Sequence, residues 1–227
     1  MSSNMKCGAM ILAAGQGKRL RPLTEKLPKP LVEFRGKPMI DYSLEAIAAT
    51  GIQECLINLF YKGEMIEEYV GDGSKWGLKV VYSHENKKLS TGGGVLNALP
   101  QMNQESFLLM NCDLFHNIDL DQLLAKGTPD NSLAHLVLRE DKHAAAVGDF
   151  SLQGNRVIPV IKGKGLTFCG VSIINPQIFS SETRECFPLV DVFHQAMANQ
   201  QITGEVHQGI WSDLGTLQGI NSASASS

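Results

Sequence analysis

Met10-Ile-Leu-Ala-Ala-Gly-Gln-Gly-Lys-Arg-Leu-Arg-Pro-Leu-Thr24, completed by Leu27-Pro-Lys-Pro-Leu-Val32, is an apolar strand that runs straight into a glycine turn rich in cations. Backbone N–H groups of the turn and the charges of Arg19 and Lys29 together make a cradle for polyphosphate. Two better-known phosphate loops are excluded. Nothing matches G-x-x-x-x-G-K-[ST], and the dinucleotide fingerprint G-x-G-x-x-G fails because its sixth position is Leu20. Pro22, Pro28 and Pro30 also stop a long helix from starting directly after the turn. The loop is therefore predicted to fold over a triphosphate. A plain strand-to-loop turn with a solvated basic face is the competing reading, and it leaves the Pro-flanked lysine without a reason.

Outward from this segment, strand-like and helix-like patterns alternate, the signature of an α/β domain with a largely parallel sheet. The first strand is read at 9–13. Pro38 opens a helix whose apolar residues Ile40, Leu44, Ile47 and Ala48 follow helical spacing, and Gly51 ends it. A strand at 54–59, a helix at 63–70 and a strand at 78–82 follow. The Gly92–Gly94 run opens a helical stretch to Leu99, and an apolar strand at 106–110 ends at Asn111-Cys112-Asp113. From Leu133 strands dominate, at 134–138, 146–152, 156–160 and 167–174, with a hairpin turn at Gln153-Gly154-Asn155. A helix at 188–198 and a last strand lead to Trp211-Ser-Asp-Leu-Gly-Thr216. The end, Ser222 to Ser227, is low-complexity and predicted disordered.

The 227 residues, 43% of them apolar, suit one domain with a sizeable core. No apolar run approaches the roughly 20 residues that cross a bilayer, and the N-terminus lacks a signal-peptide core, so a cytoplasmic protein without a membrane partner is expected. Five cysteines, without a C-x-x-C pair, suggest neither disulfides nor zinc. They are read as reduced, with Cys7, Cys55 and Cys169 in apolar runs. Net charge is −3, against a nucleic-acid binder. Yet residues 16–37 hold seven of the twenty Lys and Arg (Lys18, Arg19, Arg21, Lys26, Lys29, Arg35, Lys37) against two acids, which fits a small anionic ligand.

In an open α/β sheet the ligand crevice lies beyond the carboxyl ends of the strands, where both Gly15 and Asp113 fall. Alone, a strand-end Asp is a turn or helix cap. Beside a phosphate loop, Asp113 and Asp213 become candidate ligands for Mg²⁺, a hard cation held by carboxylates and phosphate oxygens. Gly92–Gly94, after Thr91, would let a flat ring lie against bare backbone, or would form a flexible turn before a helix. Glu85 would touch a base edge or be solvated. The six histidines lack metal spacing, and no G-x-S-x-G or Cys/His arrangement argues for nucleophilic hydrolysis.

At these residues the chain resembles the sugar-1-phosphate nucleotidyltransferases, whose hallmark is L-A-A-G-x-G-x-R-x-x-P-L-T followed by P-K-P-L. The resemblance runs from Met10 to Thr216. Within that family it looks most like the short bacterial uridylyltransferases acting on N-acetylmuramate α-1-phosphate in cell-wall recycling, on Tyr82-Ser-x-Glu85, Thr91-Gly-Gly-Gly94, Ala134-His-Leu-Val-Leu138, Gly148-Asp-Phe150 and Trp211-x-Asp-x-Gly-Thr216. It implies a Rossmann-like nucleotidyltransferase fold: a central, mostly parallel mixed sheet flanked by helices, with a smaller β-rich sugar-binding part. One domain over 5–221 is expected, with a nucleotide-binding part to about 132, a sugar-binding part from 133, and a disordered tail over 222–227.

Carried over residue by residue, the resemblance implies that Arg19 and Lys29 bind and polarise phosphates, that Asp113 and Asp213 hold Mg²⁺, and that Ala13, Ala14, Gly15, Gly17, Glu85 and Gly92 surround the nucleoside. Gly148, Asp149 and Gly170 would lie near the sugar. The implied substrates are UTP and a sugar-1-phosphate, with a monomer or small homo-oligomer expected. Two departures stand out. Cys112-Asp113 replaces the Gly-Asp of many relatives, and Val160-Ile-Lys-Gly-Lys164 replaces a Glu-Glu-Lys-Pro segment, leaving Lys162 as a candidate for a sugar phosphate. Other readings stay open: a guanylyl- or thymidylyltransferase on mannose- or glucose-1-phosphate, a choline-phosphate cytidylyltransferase, or a silent nucleotide-sugar sensor. The intact set Arg19, Lys29, Asp113 and Asp213 favours an enzyme.

Overall fold

The computed structural model describes residues 8–129, 131–140, 148–160 and 165–225. The elements run β1 (Gly8–Leu12), α1 (Leu23–Lys26), β2 (Glu33–Phe34), β3 (Lys37–Pro38), α2 (Met39–Ala49), β4 (Glu54–Leu59), α3 (Gly63–Val70), β5 (Lys79–His84) and α4 (Ser90–Ala98). They continue with β6 (Phe107–Asn111), β7 (Leu114–His116), α5 (Leu120–Lys126), β8 (Ala134–Glu140), β9 (Ser151–Gln153), β10 (Arg156–Ile158), β11 (Leu166–Ile174), α6 (Leu189–Ala198), β12 (Ile202–Val206), β13 (Trp211–Asp213) and α7 (Leu217–Ala225).

Nine strands form one sheet in the order β5-β4-β1-β6-β11-β8-β12-β10-β9. Strands β5, β4, β1 and β6 are mutually parallel, whereas β11 lies antiparallel to both β6 and β8. The strands of the second half thus extend the first sheet instead of building another. Period-2 alternation sends successive side chains to opposite faces. From β1, Ala9 and Ile11 enter a core with α2, α3 and α5, while Met10 enters a core with α4 and α6. The result is helices on both faces of a mixed, mostly parallel sheet.

This topology creates the site. After β1 the chain passes to β4 and β5 on one side, then returns through α4 to β6 on the other, so a crevice opens at the carboxyl ends of β1 and β6. Being antiparallel, β11 delivers its first half, around Phe168 to Gly170, to that same end, where its pairing with β8 shifts register between Phe168 and Ser172. Such a bulge re-aims side chains beside an active site.

Several boundaries differ from the sequence reading. The strand expected at 78–82 runs over Lys79–His84, and the helix expected from Gly92 starts at Ser90. Only Ser151 and Leu152 of the strand read at 146–152 are found in β9, residues 146 and 147 lying outside the described set with Cys7 and Lys162. Of the tail expected to be disordered over 222–227, Ser222 to Ala225 instead continue α7, with Ala223 buried, while residues 226 and 227 lie outside the described set. A low-complexity Ser/Ala run signals disorder by composition, but Ala favours helix and here has an apolar surface to cover. The expected hairpin is present, Gln153 facing Arg156 across Gly154 and Asn155.

Candidate active site

The glycine loop leaves β1 as a turn followed by a short 3₁₀ segment, Lys18–Leu20. Gly17 has φ +60°, and a Cβ there would sit 2.8 Å from Thr24 Cγ2 and 2.9 Å from Lys29 Cβ. Only glycine meets both demands. The Thr24 hydroxyl donates to the Gly17 carbonyl at 2.8 Å, tying the turn to the segment that carries Lys29. Leu20 is buried while Arg19 projects outward, its guanidinium touching Asp213 only at 3.9 Å. Of the seven clustered cations, only Arg19 and Lys29 line the cleft. Lys37 pairs with Glu45 and Arg35 stacks on Phe34 and Phe115, so the charge cluster read from sequence is partly structural.

Asp113 lies two residues past the end of β6 and is buried, with Lys29 Nζ donating to its Oδ2 at 2.7 Å. A two-stranded ladder of β13 and β7 sets Leu114 opposite Asp213. The Leu214 N–H donates to the Asp113 carbonyl at 2.8 Å, locking the two aspartates side by side although one hundred residues separate them. A Cβ on Gly215 would lie 2.5 Å from Asp113 Oδ2, 2.8 Å from Asp213 Oδ1 and 3.0 Å from Arg19 Nη2. Glycine keeps open the space on which both carboxylates converge.

The electrostatics match a cation site. Burial, then the neighbouring Asp113 charge, raise the Asp213 carboxyl above its ordinary value against the opposing Gly215 N–H, Arg19 and Lys29. Burial pulls the Lys29 ammonium down, but Cys112, Asp113 and the hydrogen bond to Asp113 outweigh it and hold it above the usual lysine range. Cys112 itself is pushed up to about 12, chiefly by burial, so at neutral pH the partner that counts is Asp113. The Cys112 side chain points into the core on the α2 side rather than into the cleft, so its departure from the Gly-Asp pattern leaves the crevice free. Among the described residues no group of three or more His, Cys, Asp or Glu converges. Two carboxylates with room for phosphate oxygens and water suit Mg²⁺, which is seldom caged by protein ligands alone.

The cleft spans about 480 Å³. Ala14 and Gly15 line it, whereas Ala13 is buried at the strand end, its N–H donating to Asn58 Oδ1 at 2.8 Å. Asn58 Nδ2 donates in turn to Glu85 Oε1 at 2.7 Å, and the Leu89 N–H reaches Glu85 Oε2 at 3.4 Å. Burial raises the Glu85 carboxyl, with both bonds opposing. Gly92 behaves differently from the open platform expected: the direction its Cβ would take is filled by the Phe187 ring, and its N–H donates to the Phe187 carbonyl at 3.0 Å. Ser90 and Thr91, at the start of α4, face the cleft in its place.

At the other end, Asp149, Thr167, Phe168, Gly170 and Trp211 form the wall. Asp149 Oδ2 accepts the Phe168 N–H at 2.8 Å, holding β11 in place, and Gly148 packs against the backbone of Gly165 outside the lining. The Trp211 indole N–H donates to the Cys169 carbonyl at 2.9 Å. Asn58, Lys88, Asn111 and Phe168 escaped the sequence reading. For Asn58 a signal existed, a polar residue inside the apolar run Cys-Leu-Ile-Asn-Leu, because a buried polar side chain must have a partner.

A family model described as Nucleotidyl transferase matches residues 8–160. The chain is 39% identical over 223 residues to the N-acetylmuramate alpha-1-phosphate uridylyltransferase of Neisseria meningitidis serogroup B, covering 96% of each chain. It is 32% identical over 180 residues to the D-glycero-alpha-D-manno-heptose 1-phosphate guanylyltransferase of Aneurinibacillus thermoaerophilus, covering 77% of each. Among solved structures, a UDP-glucose pyrophosphorylase complexed with UDP-glucose aligns with a TM-score of 0.81 at 18% identity, covering 96% of this chain and 97% of the other, a likeness of fold.

Proposed function

This chain belongs to the nucleotidyl transferase family and is a sugar-1-phosphate nucleotidyltransferase, and we propose that it transfers a uridylyl group from UTP to N-acetylmuramic acid α-1-phosphate, releasing pyrophosphate. The observation that carries the reaction class is the convergence of Asp113, Asp213 and Arg19 on the space above Gly215, with Lys29 bonded to Asp113 beside it. The choice of sugar rests on the near full-length similarity to the Neisseria enzyme.

A phosphate oxygen of the sugar phosphate attacks the α-phosphorus in line and pyrophosphate leaves, so the protein need only hold two polyanions together and neutralise the charge that develops. Arg19 is exposed and loosely paired, free to swing onto the leaving pyrophosphate. Lys29 is anchored and charged at the crevice floor. Bound between Asp113 and Asp213, Mg²⁺ would supply positive charge to the phosphoryl oxygens. An ionised Glu85 offers only acceptors, which suits the ring N–H of uracil or guanine and disfavours cytosine and adenine, whose matching ring nitrogen is itself an acceptor. Thr167 and Phe168 would face the sugar. With these substrates the enzyme would work in the cytoplasm, returning a cell-wall sugar to the nucleotide-sugar pool. Among the described residues no helix is long and apolar enough to cross a membrane.

Because Glu85 accepts from guanine equally well, the heptose-phosphate guanylyltransferase similarity keeps a GTP-dependent reading in view. Pyrophosphate release measured over a matrix of nucleoside triphosphates and sugar-1-phosphates decides the matter. Preference for UTP with N-acetylmuramic acid 1-phosphate is expected. A preference for GTP would transfer the assignment, and no turnover with any pair would overturn catalysis.

A further inference from the structure

Three of the residues proposed to act on phosphate or metal are tied to one small apolar cluster, separate from the two main cores, two by sequence adjacency and Lys29 by a backbone hydrogen bond. Leu20 follows Arg19, Leu214 follows Asp213, and Val32 donates its N–H to the Lys29 carbonyl at 3.1 Å. Phe34, Met39 and Ala223 complete the cluster, with Tyr42, Phe115 and Ile220 packed against it. Helix α7 therefore closes the cluster although none of its residues lines the cleft. It lies hard against the metal-site strand, for a Cβ on Gly219 would collide with the Asp213 carbonyl oxygen.

What holds α7 down at its far end is Arg35. Its Nη2 donates to the Ala223 carbonyl at 2.7 Å, one of the carbonyls that a helix C-terminus leaves without an internal partner. A cation is favoured there by the helix dipole. The guanidinium carbon stands 5.1 Å from the Phe34 ring centre and 4.9 Å from that of Phe115, and Phe115 pairs with Ser212, the residue before Asp213. Arg35 sits at φ +51° before Gly36, in the two-residue turn joining β2 and β3, a position that ordinarily favours Asn, Asp or Gly. Turn geometry does not explain an arginine there, whereas its reach to α7 does.

We infer that Arg35 and helix α7 form a clasp that positions Asp213 and Arg19 over the crevice, making Arg35 a positioning residue for the reaction. The inference rests on the catalytic reading of these residues. The clasp acts by keeping Leu214 and Leu20 seated, so that Asp213 stays beside Asp113.

The test compares Arg35→Ala, Arg35→Lys and, as a milder loosening of the same cluster, Ile220→Ala, with Lys37→Ala as control. Lys37 lies in the same hairpin but contacts Tyr42 and Glu45. Two readouts need no turnover: Mn²⁺ affinity by electron paramagnetic resonance, and hydrogen exchange over residues 211–225. Arg35→Ala is expected to weaken Mn²⁺ binding about 10-fold, the scale found for groups that orient metal ligands. Exchange over 211–225 should quicken while β4 and β5 stay protected. Arg35→Lys should recover part of the affinity, Ile220→Ala should lose a smaller part, and Lys37→Ala should match the parent. In turnover, Arg35→Ala should lower kcat and raise the Mg²⁺ requirement with little change in nucleotide KM. Parental Mn²⁺ affinity in both Arg35→Ala and Ile220→Ala, or unaltered exchange over 211–216, would overturn the clasp. Absence of turnover in the parent would instead sink the proposed function, with metal affinity and exchange still judging the clasp.

Discussion

Replacing Lys29 by Ala removes the only cation in hydrogen-bond contact with Asp113 among the described residues, and it should damage stability and catalysis by separate routes. The side chains of Lys29 and Asp113 are 17% and 7% exposed, so the pair is close to buried. Deleting one partner of a buried pair costs about 3–5 kcal/mol because the other charge is stranded. The cleft is open to water on one side, which puts the loss near about 3 kcal/mol, or about 6–12 °C in melting temperature for a domain of this size. The stranded charge also faces Asp213, whose carboxyl is already raised by burial and by Asp113. A carboxylate raised in the folded state destabilises at neutral pH and is relieved as pH falls through its folded value. The gap between parent and variant should therefore be widest at neutral pH and narrow towards the carboxylate range. Turnover should fall about 10²- to 10³-fold, as when one pre-organised charge stabiliser is removed. Thermal unfolding at several pH values and pyrophosphate release measure the two effects. Adding Asp113→Asn separates them: the double variant should regain most of the stability and none of the activity. A single variant that melts with the parent, or a double variant that regains turnover, would refute the reasoning.

Asp113→Asn alone should abolish divalent-dependent turnover while circular dichroism stays unchanged, and excess EDTA should silence the parent until Mg²⁺ is restored. Glu205 is held down to about 2, first by its hydrogen bond from His135, then, against burial, by Lys126. A depressed carboxylate stabilises above its unfolded range, so Glu205→Gln should cost about 1–2 kcal/mol at neutral pH after allowance for screening. Denaturant titrations should show that difference disappearing as pH falls from the ordinary glutamate range towards about 2. Gly92→Ala should push a methyl group into the Phe187 ring and destabilise by about 1–3 kcal/mol. An unchanged melting temperature with a raised nucleotide KM would instead restore Gly92 to the nucleoside surface.

Most of the first half was legible in the residues. Periodicity located β4 and α3 at their observed bounds, and glycine and proline placement marked the loop after β1 as something other than a helix start. What periodicity misses are elements too short to show a period. The β7–β13 ladder is three residues wide, yet it places Asp213 beside Asp113. Helix α7 was hidden by its own composition, since a Ser/Ala run looks disordered until an apolar cluster exists for Ala223 and Ile220 to cover. Gly92 misled for the reverse reason: a glycine announces close approach, and only packing reveals that the approaching group is Phe187.

The sequence by itself determined a polyphosphate-binding loop, because a glycine turn with Arg19 and a Pro-flanked Lys29 is a local arrangement whose chemistry can be read along the chain, and its motifs carried the resemblance to the nucleotidyltransferases. Tertiary structure alone decided the geometry of the candidate site. Asp113 and Asp213 meet through a backbone hydrogen bond and a three-residue ladder, and Glu85 is oriented by Asn58 from a neighbouring strand. Contacts between residues far apart in the chain leave no period or spacing to read, because they are set by the order in which strands enter the sheet.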